Sequence, residues 1–264
     1  MLDALEENSR VVIVGAGNLA TCLGEALCRV GIVPQAVCSR SEASALQLAE
    51  KLGCAHTTSV QLLPDADIVI TAVSDDALPV VCRELVARYS DALLVHTAGS
   101  VPVKLWAEVG AKRYGVFYPM QTFSKGKSVD FSRLGIFLEA CDERGFLQLE
   151  KLARNLTQMV YRATSEQRAY LHIAAVFSCN FTNAMYRMAA ELLEKEGLPF
   201  DVMLPLIDET AAKLHHLSPT DAQTGPAARG DKEILARQSA MLGDVHREVY
   251  DLVSRYICKN TEKE

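Results

Sequence analysis

The chain has 264 residues, enough for one large domain or two modest ones with ample hydrophobic core. Its formal net charge of -6 and its scattered lysines and arginines argue against a nucleic-acid-binding protein. Although 49% of the residues are hydrophobic, no apolar stretch reaches the ~18 residues of a membrane span, and the acidic N-terminus lacks a signal-peptide profile. These features predict a cytoplasmic protein that binds neither membranes nor nucleic acids.

Eight cysteines are spread along the chain without a C-x-x-C pair or a histidine at metal-ligand spacing. Several fall inside predicted strands or helices, where a reduced cysteine serves as a small apolar side chain. We therefore expect free thiols, no disulfide framework and no metal site.

Up to residue 163, short apolar runs alternate with helical segments, which is the pattern of a parallel α/β sheet. Strands are expected at 11–14, 33–39, 55–57, 68–73, 92–97, 114–118, 135–140 and 159–161. Helices are expected from the first glycine turn to residue 30, and over 43–52, 79–89 and 143–156. The run 68–73 is almost wholly apolar, as a strand buried on both faces should be.

The pattern changes at Thr164, which has the spacing of a capping box with Gln167. One long helix is expected from there to Glu196, and further helices over 201–217, 231–241 and 244–258. We therefore predict a sheet domain at 1–163 and an all-helical domain at 164–264. An apolar stripe along the long helix favours a homodimer formed through the helical domain. The stripe consists of Ile173, Phe177, Phe181, Ala184, Met188 and Leu192.

The segment from Val11 to Ala20 joins a β-branched strand, a Gly-x-Gly-x-x-Ala turn and the start of a helix. In this context the pattern is the dinucleotide-binding fingerprint of a Rossmann fold, a doubly wound parallel sheet. Gly15 permits the tight turn, and Gly17 lets the backbone approach a pyrophosphate. The helix N-terminus then presents free N–H groups and its positive dipole end to the phosphates. The predicted cofactor contacts of this turn are Gly15, Gly17, Asn18, Leu19 and Ala20.

The end of the second strand indicates which dinucleotide binds. An NAD site usually carries an acidic residue there, but this strand ends in Ser39, Arg40 and Ser41. A guanidinium between two hydroxyls suits a 2′-phosphate, because arginine forms a charge-assisted fork to phosphate oxygens. An ordinary solvated arginine is the alternative. The missing carboxylate favours NADP over NAD, and Glu42, the nearest acid, lies a step too far into the next helix.

The chain resembles known families of reductases. Its glycine turn, the Ser39 to Ser41 tip and the strand at 66–73 look like those of pyrroline-carboxylate reductases and deazaflavin-dependent NADP reductases. The segments 96–100, 118–123 and 224–231 resemble a largely uncharacterised group of NADP oxidoreductases. That group pairs a Rossmann domain with a helical domain similar to the C-terminal part of 6-phosphogluconate dehydrogenase. The resemblance covers nearly the whole chain and implies an NADP-dependent oxidoreductase, while leaving the substrate open.

One feature of the wider superfamily is missing. Its β-hydroxyacid dehydrogenases carry a catalytic lysine four residues before an asparagine of the long helix. The residue four before Asn180 is Val176, and no lysine occurs between Lys151 and Lys195. A lysine-based oxidation of alcohols is therefore not expected.

In an open parallel sheet, ligands bind beyond the carboxyl ends of the strands. By the resemblance, Val73 and Ser74 flank the adenosine side of the cofactor, and the segment 96–100 comes near the nicotinamide ribose. Ala98 and Gly99 have the small size that close approach of a cofactor requires.

Three residues are candidates for proton transfer, with His96 as the first choice and Tyr118 or His172 after it. His96 is either a proton donor or a histidine that orders the strand end through a hydrogen bond. Tyr118 lies in a Tyr-Pro-Met segment similar to the His-Pro-Met of prephenate dehydrogenases, and it either donates a proton or packs. His172 precedes Asn180 by eight residues on the expected long helix, so both should project to a similar side.

The predicted substrate contacts are polar groups near these residues. Asn180 can line a polar wall opposite the nicotinamide, or it can join a hydrogen-bond network in the interior. Arg229 either binds a substrate carboxylate or pairs with Asp231, which is placed to cap the next helix. The full set is Ser100, Gln121, Thr122, Asn180 and Arg229.

Together these patterns predict a reductase that uses NADPH as hydride donor for a C=N or C=O bond of a small polar metabolite. A non-catalytic NADP-binding sensor is the alternative, because the sequence shows no unmistakable acid–base pair. A methyltransferase is disfavoured, because adenosylmethionine offers no 2′-phosphate to Arg40.

Overall fold

The computed structural model describes residues 9–124 and 126–261. The acidic N-terminal segment considered above lies outside the described residues. The chain divides into two compact units, 1–179 and 180–264. The sequence analysis places the division at residue 163, so the structure assigns the first helical turns after Thr164 to the sheet unit.

The first unit contains an eight-stranded sheet with the order β3-β2-β1-β4-β5-β6-β7-β8. The strand order reverses between β1 and β4, which is the switch point where doubly wound sheets bind their ligands. This arrangement confirms the predicted Rossmann fold. The strands are β1 Val11–Val14, β2 Ala36–Cys38, β3 Ala55–Thr57, β4 Ile68–Thr71, β5 Leu93–His96, β6 Tyr114–Pro119, β7 Ile136–Ala140 and β8 Val160–Arg162.

One strand pair departs from the parallel arrangement of the predicted sheet. Strands β6 and β7 are antiparallel, with Tyr118 opposite Phe137, whereas every other pair is parallel. Two consecutive strands can pair in parallel only if a long crossover connection, usually a helix, joins them. The described residues between β6 and β7 contain a single 3-10 turn, Phe131–Arg133, so the chain returns alongside β6 in the opposite direction.

Helices cover both faces of this sheet. Ile68 and Ile70 of β4 belong to one hydrophobic cluster, and Val69 belongs to another, because successive side chains of a strand point to opposite faces. The first cluster includes Leu23, and the second includes the fully buried Trp106. The helices are α1 Asn18–Arg29, α2 Glu42–Leu52, α3 Leu78–Arg88, α4 Lys104–Glu108, α5 Glu143–Arg154 and α6 Ser165–Ala175.

The expected long helix is interrupted. Thr164 and Gln167 form the predicted capping box at the start of α6, but Val176–Phe181 is a π-helix rather than an α-helix. The predicted helix at 201–217 begins only at Leu204, which places Pro205 in its opening turn, where proline is tolerated. The later helices are α7 Thr182–Lys195, α8 Leu204–Lys213, α9 Pro226–Arg229, α10 Lys232–Ala240 and α11 Asp244–Thr261.

The second unit leaves many of its large apolar side chains exposed. Among its described residues, Ala227 alone is buried. Leu206 of α8 is 58% exposed and Leu252 of α11 is 61% exposed. None of the described helices combines the length and the apolar character that crossing a membrane requires.

Candidate functional site

The two glycines of the first turn have different structural roles. Gly15 has a φ of 118°, and a Cβ there would lie 2.1 Å from the carbonyl oxygen of Ala72, just beyond β4. Glycine is therefore required for the turn to meet the end of β4 at the switch point. Gly17 is exposed, and no neighbouring atom lies within 4 Å of its Cβ position. The space beside Gly17 is open to a ligand.

The N-terminus of α1 fits an anionic group. No side chain caps its first amides, although a helix start carries N–H groups without partners inside the helix. Asn18 instead donates its side-chain N–H to the carbonyl oxygen of Phe123 at 3.1 Å. Leu19 packs on the core and Ala20 is buried, so these two residues can offer a ligand only their backbone N–H groups. A pyrophosphate is accommodated by this arrangement.

The tip of β2 presents a free guanidinium. Arg40 is exposed and forms no ion pair with any residue between 9 and 124 or between 126 and 261. Ser41 caps α2 by accepting the N–H of Ser44 at 3.3 Å. Glu42 accepts a hydrogen bond from Nε2 of His56 at 2.9 Å, so His56 holds the nearest carboxylate. Arg40 is therefore the charged group at this tip that has no partner.

The loops after β4 and β5 are tied together. Ser100 donates its hydroxyl to Oδ2 of Asp75 at 2.6 Å. Val73 is half-buried and Ser74 is exposed, and both follow β4 at the edge where ligands bind. The sequence analysis did not select Asp75, although an acid so soon after a buried strand was a usable signal. Ser100, a predicted substrate contact, is engaged with this carboxylate.

His96 is fully buried at the end of β5, where its ring stacks on Trp106 with centroids 6.4 Å apart. Its Nδ1 accepts the backbone N–H of Ala98 at 3.3 Å. Burial, reinforced by the charge of Arg168, lowers the pKa of His96 to about 4. The imidazole is therefore neutral at neutral pH and shielded from solvent. The hydrogen bond to Ala98 corresponds to the second of its two predicted roles, ordering the strand end, and the role itself stays a prediction.

Three predicted residues meet at the carboxyl ends of β5 and β6. The hydroxyl of the buried Tyr118 lies 3.5 Å from Nδ1 of His172, which is exposed on α6. A Cβ at Gly99 would lie 2.7 Å from Cζ of Tyr118, so the ring packs directly against this glycine. Burial raises the pKa of Tyr118, and Arg168 partly opposes that effect. The phenol therefore keeps its proton at neutral pH, beside an imidazole that reaches solvent.

The segment after β6 connects this cluster with the glycine turn. Gln121 and Thr122 are exposed, and Oε1 of Gln121 accepts the backbone N–H of Thr122 at 2.8 Å and its hydroxyl at 3.3 Å. The next residue, Phe123, is the one whose carbonyl oxygen Asn18 binds. Both predicted substrate contacts therefore lie on a segment that runs from Tyr118 to the start of α1.

The remaining predicted contacts belong to the second unit. Asn180 lies in the π-helix, whose hydrogen bonds follow an i to i+5 pattern, and its same-side relation to His172 assumed an uninterrupted α-helix. That relation stays a prediction. Arg229 pairs with Oδ2 of Asp231 at 3.0 Å, which corresponds to the alternative to binding a substrate carboxylate. Asp231 precedes α10, but its side chain does not cap the helix.

The cysteines are free thiols, and burial raises the pKa of Cys82 to about 12 and that of Cys38 to about 11. Such thiols are inert, because the thiolate is the reactive form. Across the part of the chain that the structure describes, no three histidine, cysteine or acidic side chains are grouped as a metal site requires.

Two family models match the chain. Residues 10–99 match the model described as NADP oxidoreductase coenzyme F420-dependent, and residues 134–257 match a domain of unknown function, DUF2520. A search of curated proteins gives no match.

Solved structures resemble the whole chain. A "putative NADP oxidoreductase" from Bacteroides fragilis is 47% identical, with a TM-score of 0.87 over 96% of this chain and 98% of that chain. An imine reductase from Myxococcus stipitatus in complex with NADP+ shares the fold at 19% identity, with a TM-score of 0.67 over 96% and 93%. A pyrroline-5-carboxylate reductase from Coxiella burnetii shares it at 20% identity, with a TM-score of 0.61 over 97% and 98%. The identity to the Bacteroides protein, over nearly the full length of both chains, places this protein in the NADP oxidoreductase family.

Proposed function

We propose that the protein uses NADPH to reduce a C=N or C=O bond of a small polar metabolite, with Tyr118 as the proton donor. The observation that carries this proposal is the meeting of the Tyr118 hydroxyl and the His172 imidazole against Gly99. This meeting lies at the sheet edge where doubly wound folds bind their ligands. The nicotinamide, when bound, supplies the hydride.

The residues of the chain supply the proton. Tyr118 holds its proton at neutral pH, and a hydroxyl can donate one hydrogen bond while accepting another. The phenol gives its proton to the oxygen or nitrogen of the reduced bond, and His172 returns a proton to it from solvent. The 3.5 Å between the two side chains is at the long end for a hydrogen bond, and proton transfer requires this contact to shorten during the reaction.

The cofactor site is supported by the same edge of the sheet. Gly17 leaves room for a pyrophosphate, the start of α1 presents uncapped amides, and Arg40 offers a free fork for a 2′-phosphate. One fold neighbour is named an imine reductase, which supports testing imines first. The residues proposed to hold NADPH are Gly15, Gly17, Asn18, Leu19, Ala20, Ser39, Arg40, Ser41, Val73, Ser74, Ala98 and Gly99.

Titration with NADPH and NADH tests the cofactor assignment. We expect Arg40→Ala to weaken NADPH binding about 10- to 100-fold, because a charge-assisted fork to phosphate contributes roughly 1.5–3 kcal/mol. NADH lacks the 2′-phosphate, so its affinity should change little. Arg144→Ala, which removes an exposed arginine of α5, is the matched control and should leave both affinities unchanged. Equal losses for the two cofactors in Arg40→Ala would contradict the assignment.

Turnover of NADPH with a panel of imines and carbonyl compounds tests the proton donor. We expect Tyr118→Phe to lower kcat about 100- to 10,000-fold without weakening NADPH binding, because only the proton is lost. Tyr161→Phe removes the hydroxyl of an exposed tyrosine on β8 and should retain full activity. If the wild-type protein binds NADPH but reduces no compound of the panel, the non-catalytic sensor replaces the reductase.

We also infer that two copies of the chain pair through the helical unit. Many of its large apolar side chains are exposed, and Ala227 alone is buried among its described residues. A unit of this size normally buries a core of its own, and apolar surface on this scale marks an interface. A second copy with the same exposed surface would cover it in a symmetric dimer.

A further inference from the structure

A buried cation acts on the proposed proton donor Tyr118. The guanidinium of Arg168 on α6 is completely inaccessible to solvent. Its Nη1 donates to Oε2 of Glu139 at 2.9 Å, and its Nη2 donates to the carbonyl oxygen of Val101 at 3.0 Å. Arginine is almost never fully buried without a partner, and its charge persists because it cannot be deprotonated in a protein. The fold therefore holds a permanent positive charge at this point.

Ser165 completes the network. Its hydroxyl donates to Oε2 of Glu139 at 2.8 Å and accepts the backbone N–H of Val103 at 3.0 Å. It also accepts from Nη2 of Arg168 at 3.3 Å. One donor and two acceptor positions are all that a serine hydroxyl offers, so its capacity is fully used. The three hydrogen bonds therefore fix the orientation of Glu139, Val103 and Arg168 around this hydroxyl.

The network joins α6 and the loop after Gly99, which carry two of the site residues, to β7, the strand beside the third. Arg168 lies one helical turn before His172 on α6, so both are on the same side of that helix. Glu139 belongs to β7, which pairs with the strand that carries Tyr118. Val101 follows Gly99 by two residues. One buried hydrogen-bond network therefore connects the segments next to Tyr118, Gly99 and His172.

We propose that Arg168 is a positioning residue for the reduction. It holds α6 and the loop after Gly99 so that His172 meets the hydroxyl of Tyr118, and its charge stabilises the phenolate that proton donation leaves behind. This inference rests on the proposed function. The groups that act on the Tyr118 hydroxyl are His172 on α6, at 3.5 Å, and Arg168 on α6, whose charge lowers the pKa of the phenol. Arg168 is itself paired with Glu139 on β7, and its charge acts on His96 on β5.

Ionisation of Tyr118 tests the electrostatic part without any substrate. Tyrosine labelled with carbon-13 at Cζ reports the pKa of each phenol by NMR, and Tyr118→Phe identifies the signal. We expect Arg168→Met to raise the pKa of Tyr118 by about 1, because a nearby positive charge is removed. Arg168→Lys should restore most of the wild-type value. Arg162→Met is the control. It removes an exposed arginine of the neighbouring strand β8 that is paired with Glu143 of α5, and it should leave the pKa of Tyr118 unchanged.

Ser165→Ala tests the positioning part, because it keeps the cation and removes the hydroxyl that links the three elements. We expect the imidazole signals of His172 to lose their response to Tyr118→Phe in this background. In a reaction identified by the panel, kcat should fall about tenfold, with KM unchanged and full rates in Arg162→Met. Should Arg168→Met fail to fold, Arg168→Lys and Ser165→Ala still decide the question.

An unchanged Tyr118 pKa in Arg168→Met, together with unchanged His172 signals in Ser165→Ala, would overturn the proposal. It would leave Arg168 with a purely structural role. Full turnover by Tyr118→Phe is a different result. It would remove Tyr118 as the proton donor of the proposed function, while the NMR measurements would still report whether Arg168 acts on it.

Discussion

At the scale of single residues, the sequence predicts the roles of some site residues better than those of others. Gly15 and Gly17 follow from the fingerprint, since close approach of backbone or ligand requires glycine. The burial of His96 does not follow from the sequence, because a histidine at the end of an apolar strand is compatible with either an exposed or a buried ring. Arg168 was not selected at all. An arginine in the first turns of a helix usually lies in solvent, and only the tertiary structure buries it.

The burial of His96 makes stability depend on pH. The folded protein holds its pKa at about 4, below the ordinary value of 6.5, so between these values the unfolded chain binds more protons. The free energy of unfolding therefore falls as pH drops through this window, by on the order of 3 kcal/mol from this residue. Above pH 6.5 both states hold a neutral imidazole, and the contribution of His96 to the free energy of unfolding is fully present.

Urea denaturation of His96→Gln at a pH above 6.5 and at a pH near 4 measures this contribution. The variant should lose less stability on acidification than the wild type, because its side chain does not titrate. His215→Gln, which changes an exposed histidine, should lose as much as the wild type. Equal acid sensitivity of His96→Gln and the wild type would show that His96 contributes nothing to this pH dependence.

At the scale of elements, sequence located the strands but not the direction of all of them. The apolar runs around β6 and β7 predict two strands because each has an alternating or wholly buried pattern. Direction depends on the connection, and the described residues between β6 and β7 have too little helix to serve as a crossover. The antiparallel pairing brings Phe137 opposite Tyr118, with ring centroids 6.4 Å apart.

The π-helix escaped prediction for a different reason. An apolar stripe with helical spacing continues through Val176–Phe181, and the stripe tolerates the change in winding. Hydrophobic periodicity averages over several turns, so a local i to i+5 segment is invisible to it. The consequence is local but matters for the site, because the expected alignment of Asn180 with His172 was based on uniform α-helical geometry.

At the scale of the whole molecule, the exposed apolar surface of the helical unit predicts a dimer. Light scattering should give twice the chain mass of 28.9 kDa. Leu252→Glu changes a side chain that is 61% exposed on α11, and we expect it to weaken association at least ~10-fold, because a charge would be buried in the interface.

Leu62→Glu is the matched control for this experiment. Leu62 is 75% exposed in the sheet unit, and its substitution should leave the measured mass unchanged. A wild-type protein that has the mass of one chain at all concentrations would contradict the dimer.

The hydrogen bond between His56 and Glu42 limits how the cofactor preference can be re-engineered. Because His56 holds the Glu42 carboxylate at 2.9 Å, deleting the guanidinium of Arg40 removes the proposed 2′-phosphate contact without presenting an acid to a ribose hydroxyl. Arg40→Ala would therefore be a poorer NADPH enzyme and not a better NADH enzyme. A variant that draws on the NADH pool of a cell needs a new carboxylate at position 39 or 40, in addition to the loss of the guanidinium.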